Sequence, residues 1–219
     1  MYKRQLVLVV CVVIIAVAFD FTNGFHDAAN AIATAISTRA WEPRTALAMA
    51  AVMNLVGSLL GTEVAKTIGS GIIDMSGYAT AVSHAERAHG LLIILGGLIG
   101  AICWNIITWY FGLPSSSSHA LIGGLAGAGL AAGVTVNWAT ITSHVLIPMV
   151  VSPLIGFTFA YVLMSLVMVS MKNLAYRRTM RKFRVGQKFS SAALALGHGL
   201  QDAQKTMGCL LYTSPSPRD

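Results

Sequence analysis

The sequence predicts an all-α fold, that of a polytopic helical membrane protein. Of its 219 residues, 55% are hydrophobic and only 11% are charged, and the mean hydropathy is +0.69. Soluble domains carry roughly 25% charged residues. Continuous apolar windows, several near the roughly 20 residues that an α-helix needs to cross a bilayer, lie at 6–19, 46–60, 91–111, 113–132 and 145–171. Strands of a membrane barrel would alternate instead, and open sheets would leave unpaired backbone groups in lipid.

The charges between these windows predict how the chain threads the membrane. Six of the fifteen Lys and Arg residues lie in AYRRTMRKFRVGQK, at Arg177, Arg178, Arg181, Lys182, Arg184 and Lys188. By the positive-inside rule, residues 172–188 form a basic cytoplasmic loop. Arg39 and Arg44 then place the first connection inside, and the slight acidic excess of 61–88 places that connection outside. About five spans over residues 1–171 fit this pattern, with the N-terminus outside; a cleaved signal peptide is a weaker alternative.

The fourth window is unusual because it opens with LPSSSSHALIGG. Pro114 is followed by Ser115, Ser116, Ser117, Ser118 and His119, and then by a run of Gly and Ala. This segment either crosses the membrane or forms a re-entrant hairpin, which needs protein or a water-filled cavity to cover its backbone. Its small residues favour close helix packing. Its hydroxyls after a helix-starting proline are typical of an anion site.

A polar motif occurs twice. NGFHDAANAIAT, residues 23–34, aligns without gaps to HGLQDAQKTMGC, residues 198–209. Both copies contain Gly-x-x-Asp-Ala, so Asp27 corresponds to Asp202. Such internal similarity indicates a repeat architecture.

Asp27 and Asp202 are energetically unfavourable at their positions in or beside apolar segments. An Asp at membrane depth costs roughly 2.5–3.5 kcal/mol on insertion scales. Capping of a helix end is an alternative for one Asp alone, but two matched copies favour a functional site. With five crossings between them, the motifs enter from opposite faces, as in inverted-repeat transporters with a substrate site at the repeat interface. Gly24 and Gly199 are expected to allow backbone breaks beside that site.

At these residues the sequence resembles the inorganic phosphate transporter (PiT) family of cation-coupled permeases. FTNGFHDAANAIATAIST is similar to the family's first signature, GLPSSSSHALIGGLAGA to its serine-rich segment, and LGHGLQDAQKTMG to its second signature. The resemblance covers residues 1 to about 209. It implies two inverted halves, of which residues 1–171 form the first transmembrane repeat and 189–209 the start of the second. It also implies import of inorganic phosphate, sometimes as a metal phosphate, with sodium ions or protons.

The last ten residues depart from the family pattern. LLYTSPSPRD, residues 210–219, changes abruptly to a polar, Pro-rich sequence where a helix is expected to continue. We therefore expect an N-terminal fragment that runs just past the second signature and ends in an atypical tail. Transport would then belong to the intact protein.

The resemblance and the residue chemistry together suggest a substrate site. Hydroxyl and amide groups would donate to phosphate oxygens, and a lysine would add positive charge; the expected substrate-binding residues are Asn23, Asp27, Asn30, Ser115, Ser116, Ser117, Ser118, Gln201, Asp202, Lys205 and Thr206. Two carboxylates and an anionic substrate repel one another in a low-dielectric cavity unless cations accompany them.

Coupling to a cation follows from that repulsion. Asp27, Asn30 and Asp202 are expected to hold the coupling ion, with Asp27 and Asp202 as the metal ligands if that ion is sodium. His26, His119 and His198 are candidates for proton coupling, since histidine as a residue type can exchange a proton at physiological pH, with a structural role as the alternative.

Other functions are less well supported. A permease for another oxyanion such as sulfate is the main alternative, because hydroxyl donors do not distinguish oxyanions by the number of protons that they carry. An intramembrane hydrolase is a remote one, since no Gly-x-Gly-Asp or Gly-x-Ser-x-Gly stretch occurs. We expect that the protein is not an enzyme and uses no cofactor. We also expect no nucleic-acid partner, since the basic residues cluster beside an apolar span. A multi-pass protein of the cell membrane in contact with the lipid bilayer is predicted, and a homo-oligomer is compatible with the sequence.

Overall fold

Helices form nearly all of the structure, a computed structural model that describes residues 2–60, 71–73, 78, 83–172 and 176–211. The helices are α1 (Tyr2–Ser37), α2 (Pro43–Ser58), α3 (His84–Tyr110), α4 (Ser117–Ala131), α5 (Trp138–Ile141), a π-helical turn (Thr142–Leu146), α6 (Ile147–Met171) and α7 (Tyr176–Leu211). An isolated antiparallel bridge joins Ile73 to Val136. The predicted all-α class is confirmed.

Three helices end in the same way. Arg39, Gly112 and Gly133 have positive φ angles of 56°, 63° and 72° and follow α1, α3 and α4. After each, the next N–H donates back to a carbonyl five residues earlier, for example from Leu113 to Thr108 at 2.8 Å. This Schellman arrangement satisfies carbonyls that a helix end leaves free. It stops α3 and α4 sharply.

Side-chain caps start the helices that lead to the serine segment. Ser83 accepts a hydrogen bond from the Ala85 N–H at the start of α3, and Ser116 accepts one from the His119 N–H at the start of α4. α2 begins instead with Pro43, whose missing N–H costs nothing in a first turn.

Contacts between the helices fix their directions. The first halves of α1 and α3 share the main core, where Val12 and Ala16 pack with Ile94 and Leu98. Further on, Phe25 of α1 meets Trp109 of α3 with ring centroids 5.4 Å apart. α1 and α3 therefore run in the same direction.

α3 and α4 form an antiparallel hairpin. Gly124 lies so close to the backbone of Gly97 and Ala101 that a Cβ would overlap it, and Trp104 donates a hydrogen bond to Ser115 at 3.2 Å. The 15 residues of α4 span about 22 Å, less than the roughly 30 Å of a hydrocarbon core. This geometry matches the re-entrant alternative for the serine segment better than a complete crossing.

Three helical stretches of the described chain are long and apolar enough to cross a membrane: Gln5–Ser37, Ala85–Tyr110 and Trp138–Met171. The last contains the π-helical turn, which precedes Pro148; a proline lacks the N–H and crowds the previous turn, so a widened turn relieves the clash. α6 has no buried residue and an almost wholly apolar surface. Such a surface suits lipid or another apolar partner.

Glycines set the contact between α2 and α7. A Cβ on Gly199 would overlap the backbone of Asn54, and one on Gly57 would overlap the backbone of Leu196. Gly199 is therefore needed for close packing. The expected backbone breaks at Gly24 and Gly199 are wrong, because both residues lie within unbroken helices.

The basic segment is helical where it is described. Residues 176–188 form the start of α7, which continues without interruption through the second motif. The predicted tail 210–219 lies outside the described residues from 212 onward, as do residues 61–70 of the predicted outer connection.

We expect Gly199→Ala to destabilise the protein by about 1–3 kcal/mol, because the added methyl group meets backbone that is unable to rotate away. Gly197→Ala is the matched control on the same helix, since a Cβ there has open space. It should be neutral or slightly stabilising because Ala favours helix. Thermal unfolding in detergent measures both; equal melting temperatures for the two variants would contradict the close contact.

Candidate functional site

A polar seam runs along the interface of α1 and α7. Thr38 donates to Gln187 at one end, Asn23 donates to Asp202 at 2.8 Å in the middle, and Thr206 donates to Asp20 at the other end. Positions rise along α1 as they fall along α7, so the helices are antiparallel. The two sequence motifs therefore lie side by side, with their chains running in opposite directions.

The seam arises from helical spacing. Asp20, Asn23, Asp27 and Asn30 are separated by three, four and three residues, which places them on one face of α1. The intervals of four and three residues recur in the second motif at His198, Asp202 and Lys205, whereas Ala195 stands at the position that corresponds to Asp20. An otherwise apolar helix thus presents one polar stripe to its partner.

The contacts of the two motifs are related by an approximate two-fold axis. Asn23 and His198 occupy equivalent motif positions; Asn23 binds Asp202 at 2.8 Å, and His198 Nε2 lies 4.0 Å from Asp27 Oδ2. Asn30 and Lys205 are also equivalent, and each donates to the Asp three residues before it. Each carboxylate therefore accepts a hydrogen bond from a residue of its own motif and lies close to a residue of the other motif.

The serine segment completes this arrangement. Lys205 is 6% exposed, and its ammonium donates to Asp202 and, at 3.2 Å, to Ser117 Oγ. The Ser117 hydroxyl donates in turn to Asp27 Oδ2 at 3.4 Å. A continuous chain of hydrogen bonds thus links α7, α4 and α1 at the N-terminus of α4, where the helix dipole is positive.

Two histidines lie against the carboxylates. His26 Nδ1 is 3.1 Å from Asp27 Oδ1, and His198 Nδ1 is 3.0 Å from Asp202 Oδ2 and 3.2 Å from Asn54 Oδ1. One ligand atom each from Asp27, His198 and Asp202 lie within 4.8 Å of one another. Hard cations such as Ca²⁺ bind oxygen at roughly 2.3–2.6 Å, so two opposed ligands lie about 5 Å apart. The separation of these three ligand atoms is within the range over which one small cation can be shared.

Asn23 leaves an acceptor unused. Its side chain is 2% exposed and its Oδ1 atom accepts no hydrogen bond from the residues that the structure describes. A buried amide oxygen without a donor costs about 1–3 kcal/mol. A cation or a water molecule beside Asp202 would satisfy it.

The structure brings most of the predicted site residues together. The cluster consists of Asn23, His26, Asp27, Asn30, Ser117, His198, Asp202 and Lys205. The remaining predicted residues lie elsewhere. Gln201 and His119 are exposed, and Ser118 is half-buried.

Three other predicted residues have local partners instead. Ser115 binds Trp104, Ser116 caps α4, and Thr206 binds Asp20. Of the four serines, Ser117 alone has a described hydrogen bond to the carboxylate cluster.

Sequence reasoning missed two polar residues beside this cluster. Asp20 lies two turns before Asp27, with Thr206 as its donor, and Asn54 of α2 binds His198. Asp20 could have been found from the sequence, because it directly follows the apolar window 6–19 and lies three residues before Asn23, on the same helical face as the motif. Asn54 could not, because its partner is set by the packing of α2 on α7.

The fold and the site together define the class of protein. It is a polytopic helical membrane protein whose apolar helices enclose a cluster of opposite charges. Residues 23–216 match the family described as "Phosphate transporter family", and the chain belongs to that family.

Its relatives carry consistent names. The chain is 55% identical over 197 residues to a probable low-affinity inorganic phosphate transporter of Streptomyces halstedii, covering 90% of this chain and 88% of the relative. It is 34% identical to the low-affinity inorganic phosphate transporter PitA of Escherichia coli K12, covering 88% of this chain and 43% of PitA. These names confirm the non-enzymatic prediction.

A solved structure described as "The sodium-dependent phosphate transporter" has the same arrangement, with a TM-score of 0.67 and 25% identity. The match covers 93% of this chain and 54% of the solved chain. The chain also spans 47% of a probable low-affinity inorganic phosphate transporter from Mycobacterium bovis. Several relatives are therefore about twice as long.

We expect the Asp202–Lys205 pair to show strong thermodynamic coupling. Lys205→Met alone should cost about 3–5 kcal/mol, because it leaves two buried carboxylates without a cation, and Asp202→Asn should cost less, because Asp27 still balances the charge of Lys205. The double variant should cost much less than the sum. Unfolding in detergent measures the cycle, and Lys188→Met combined with Asp202→Asn is the control. Additivity within about 0.5 kcal/mol for both pairs would contradict the coupling.

Proposed function

We propose that the protein imports inorganic phosphate across the cell membrane together with sodium ions or protons. One observation carries the proposal: Asp27 and Asp202, from two matched motifs, converge on a single buried cluster with Lys205 and Ser117 between them. Family membership and the names of the relatives support phosphate as the substrate.

The charge of the cluster explains why a cation would accompany phosphate. Asp27 and Asp202 contribute two negative charges and Lys205 one positive charge, so the cluster carries a net charge of −1 when its histidines are neutral. An anion entering this low-dielectric space is repelled. A sodium ion or proton on the carboxylates removes the repulsion, so phosphate binding depends on the driving ion.

Sodium has a suitable ligand set. The carboxylates of Asp27 and Asp202 and the unpaired amide oxygen of Asn23 offer hard oxygen donors. The solved relative is described as sodium-dependent, which supports sodium. His26 and His198, each within 3.1 Å of a carboxylate, are the groups that would carry protons in the alternative.

The anion would bind at the start of α4. Lys205 Nζ and the Ser117 hydroxyl lie there, and the first-turn N–H groups of the helix have no carbonyl of their own helix to bind. Phosphate would replace the contacts that these two groups now make with the carboxylates. The hairpin of α3 and α4 would then be re-entrant, because the end of α3 and the start of α4 both lie at the level of Asp27.

The decisive experiment is uptake of labelled phosphate by cells that lack their own importers, using the full-length transporter. Asp27→Asn and Asp202→Asn should each abolish uptake or remove its dependence on sodium or pH, while membrane insertion stays normal because a neutral residue is easier to insert. Labelled sulfate is tested in parallel. Parental phosphate uptake and ion dependence in both variants, or preferred uptake of sulfate, would overturn the proposal.

Ser117→Ala should raise the apparent KM for phosphate about tenfold with little change in maximal rate, since one hydrogen bond to bound substrate is lost. Ser115→Ala is the matched control: its hydroxyl binds Trp104 and should leave the KM unchanged. Uptake kinetics over a range of phosphate concentrations separate the two. Equal effects of both substitutions would assign the serine run to packing.

A further inference from the structure

The first half of α7 carries basic residues that the proposed transport site does not use. Arg181, Arg184 and Lys188 recur at i, i+3 and i+7 and so form one row along the helix, called the basic row below. Arg181 and Arg184 are exposed and Lys188 is half-buried. Within the described ranges, none of the three pairs with an acidic side chain.

The basic row begins at the end of the apolar bundle. The Lys188 ammonium lies 4.7 Å from the centre of the Trp41 ring, and the neighbouring Gln187 accepts a hydrogen bond from Thr38, just after α1 ends. Tryptophan is enriched where hydrocarbon meets headgroups. Arg184 and Arg181 follow roughly 6 and 10 Å further out along the helix axis.

These distances correspond to the headgroup layer. The polar layer on each side of a bilayer is roughly 5–8 Å thick. With Trp41 at the edge of the hydrocarbon, Lys188 and Arg184 would lie at the level of lipid phosphates, and Arg181 would lie just beyond them.

The surroundings of the row favour a membrane surface over bulk water. Exposed apolar side chains lie beside it, including Phe183, Val185 and Phe189, the last 74% exposed. Arg39 and Arg44 are exposed at the same end of the bundle. A helix that combines exposed aromatic groups with several basic residues is typical of binding to anionic lipid.

We propose that the basic row binds the phosphate groups of anionic phospholipids, and that it selects them over zwitterionic lipids. Guanidinium groups donate in pairs to phosphate oxygens, and net negative headgroups add long-range attraction. Lys188, held over Trp41, fixes the inner end of the row. This lipid contact is separate from the transport site and does not depend on transport.

The test measures how strongly the purified chain prefers spin-labelled phosphatidylglycerol to spin-labelled phosphatidylcholine in phosphatidylcholine vesicles, from the motionally restricted fraction of each label. The unaltered chain should prefer the anionic lipid. The double variant R181Q/R184Q should lose about tenfold or more of that preference, since each basic residue near the surface contributes. R181K/R184K keeps both charges and should retain most of it.

The matched control is Arg87→Gln, at the start of α3 and therefore at the opposite end of the bundle, which should leave the preference unchanged. Added sodium chloride should weaken the preference through screening. Inorganic phosphate at equal ionic strength should do no more than chloride. The proposal is overturned if R181Q/R184Q matches the unaltered chain, or if inorganic phosphate displaces the lipid beyond the effect of chloride.

Discussion

Two carboxylates held between apolar helices govern the arrangement of the rest of the bundle. Asp27 and Asp202 each need partners, because an isolated charge in such surroundings is unfavourable by several kcal/mol. Lys205 and His198 partner Asp202, and Ser117 and His26 partner Asp27. These partners come from α1, α4 and α7. The need to compensate the two charges therefore constrains the relative positions of those three helices.

The close packing of α2 and α4 serves this compensation. Gly199 lets α2 approach α7, which brings Asn54 to His198. Gly97 and Gly124 let α4 approach α3, which sets the level at which Ser117 meets Asp27. Glycines at the helix contacts thus help to place the polar groups that surround the two charges. Without them, the polar atoms would be separated by the thickness of a side chain.

The sequence predicted the helical class, the repeat and the facing carboxylates, because each follows from local composition or from helical period. It did not distinguish Ser117 from its three neighbours. That distinction depends on where Gly112 ends α3 and where Ser116 caps α4, which together decide the rotation of the helix. The expected break at Gly199 failed because this glycine serves the close approach to Asn54, whereas Gly24 has open space around it and lies within a regular helix. Sequence alone does not separate these two uses.

The contact between Asn23 and Asp202 joins residues 179 positions apart in the chain. At the roughly 5–20 residues per second of protein synthesis, Asp202 is made about 10 to 35 s after Asn23. During that interval Asp27 has neither the second motif nor Lys205 to face. Until then, a position in which water or the insertion machinery solvates its carboxylate is favoured over lipid by roughly 2.5–3.5 kcal/mol. The arrival of α7, which brings Lys205 to the cluster, removes much of that bias.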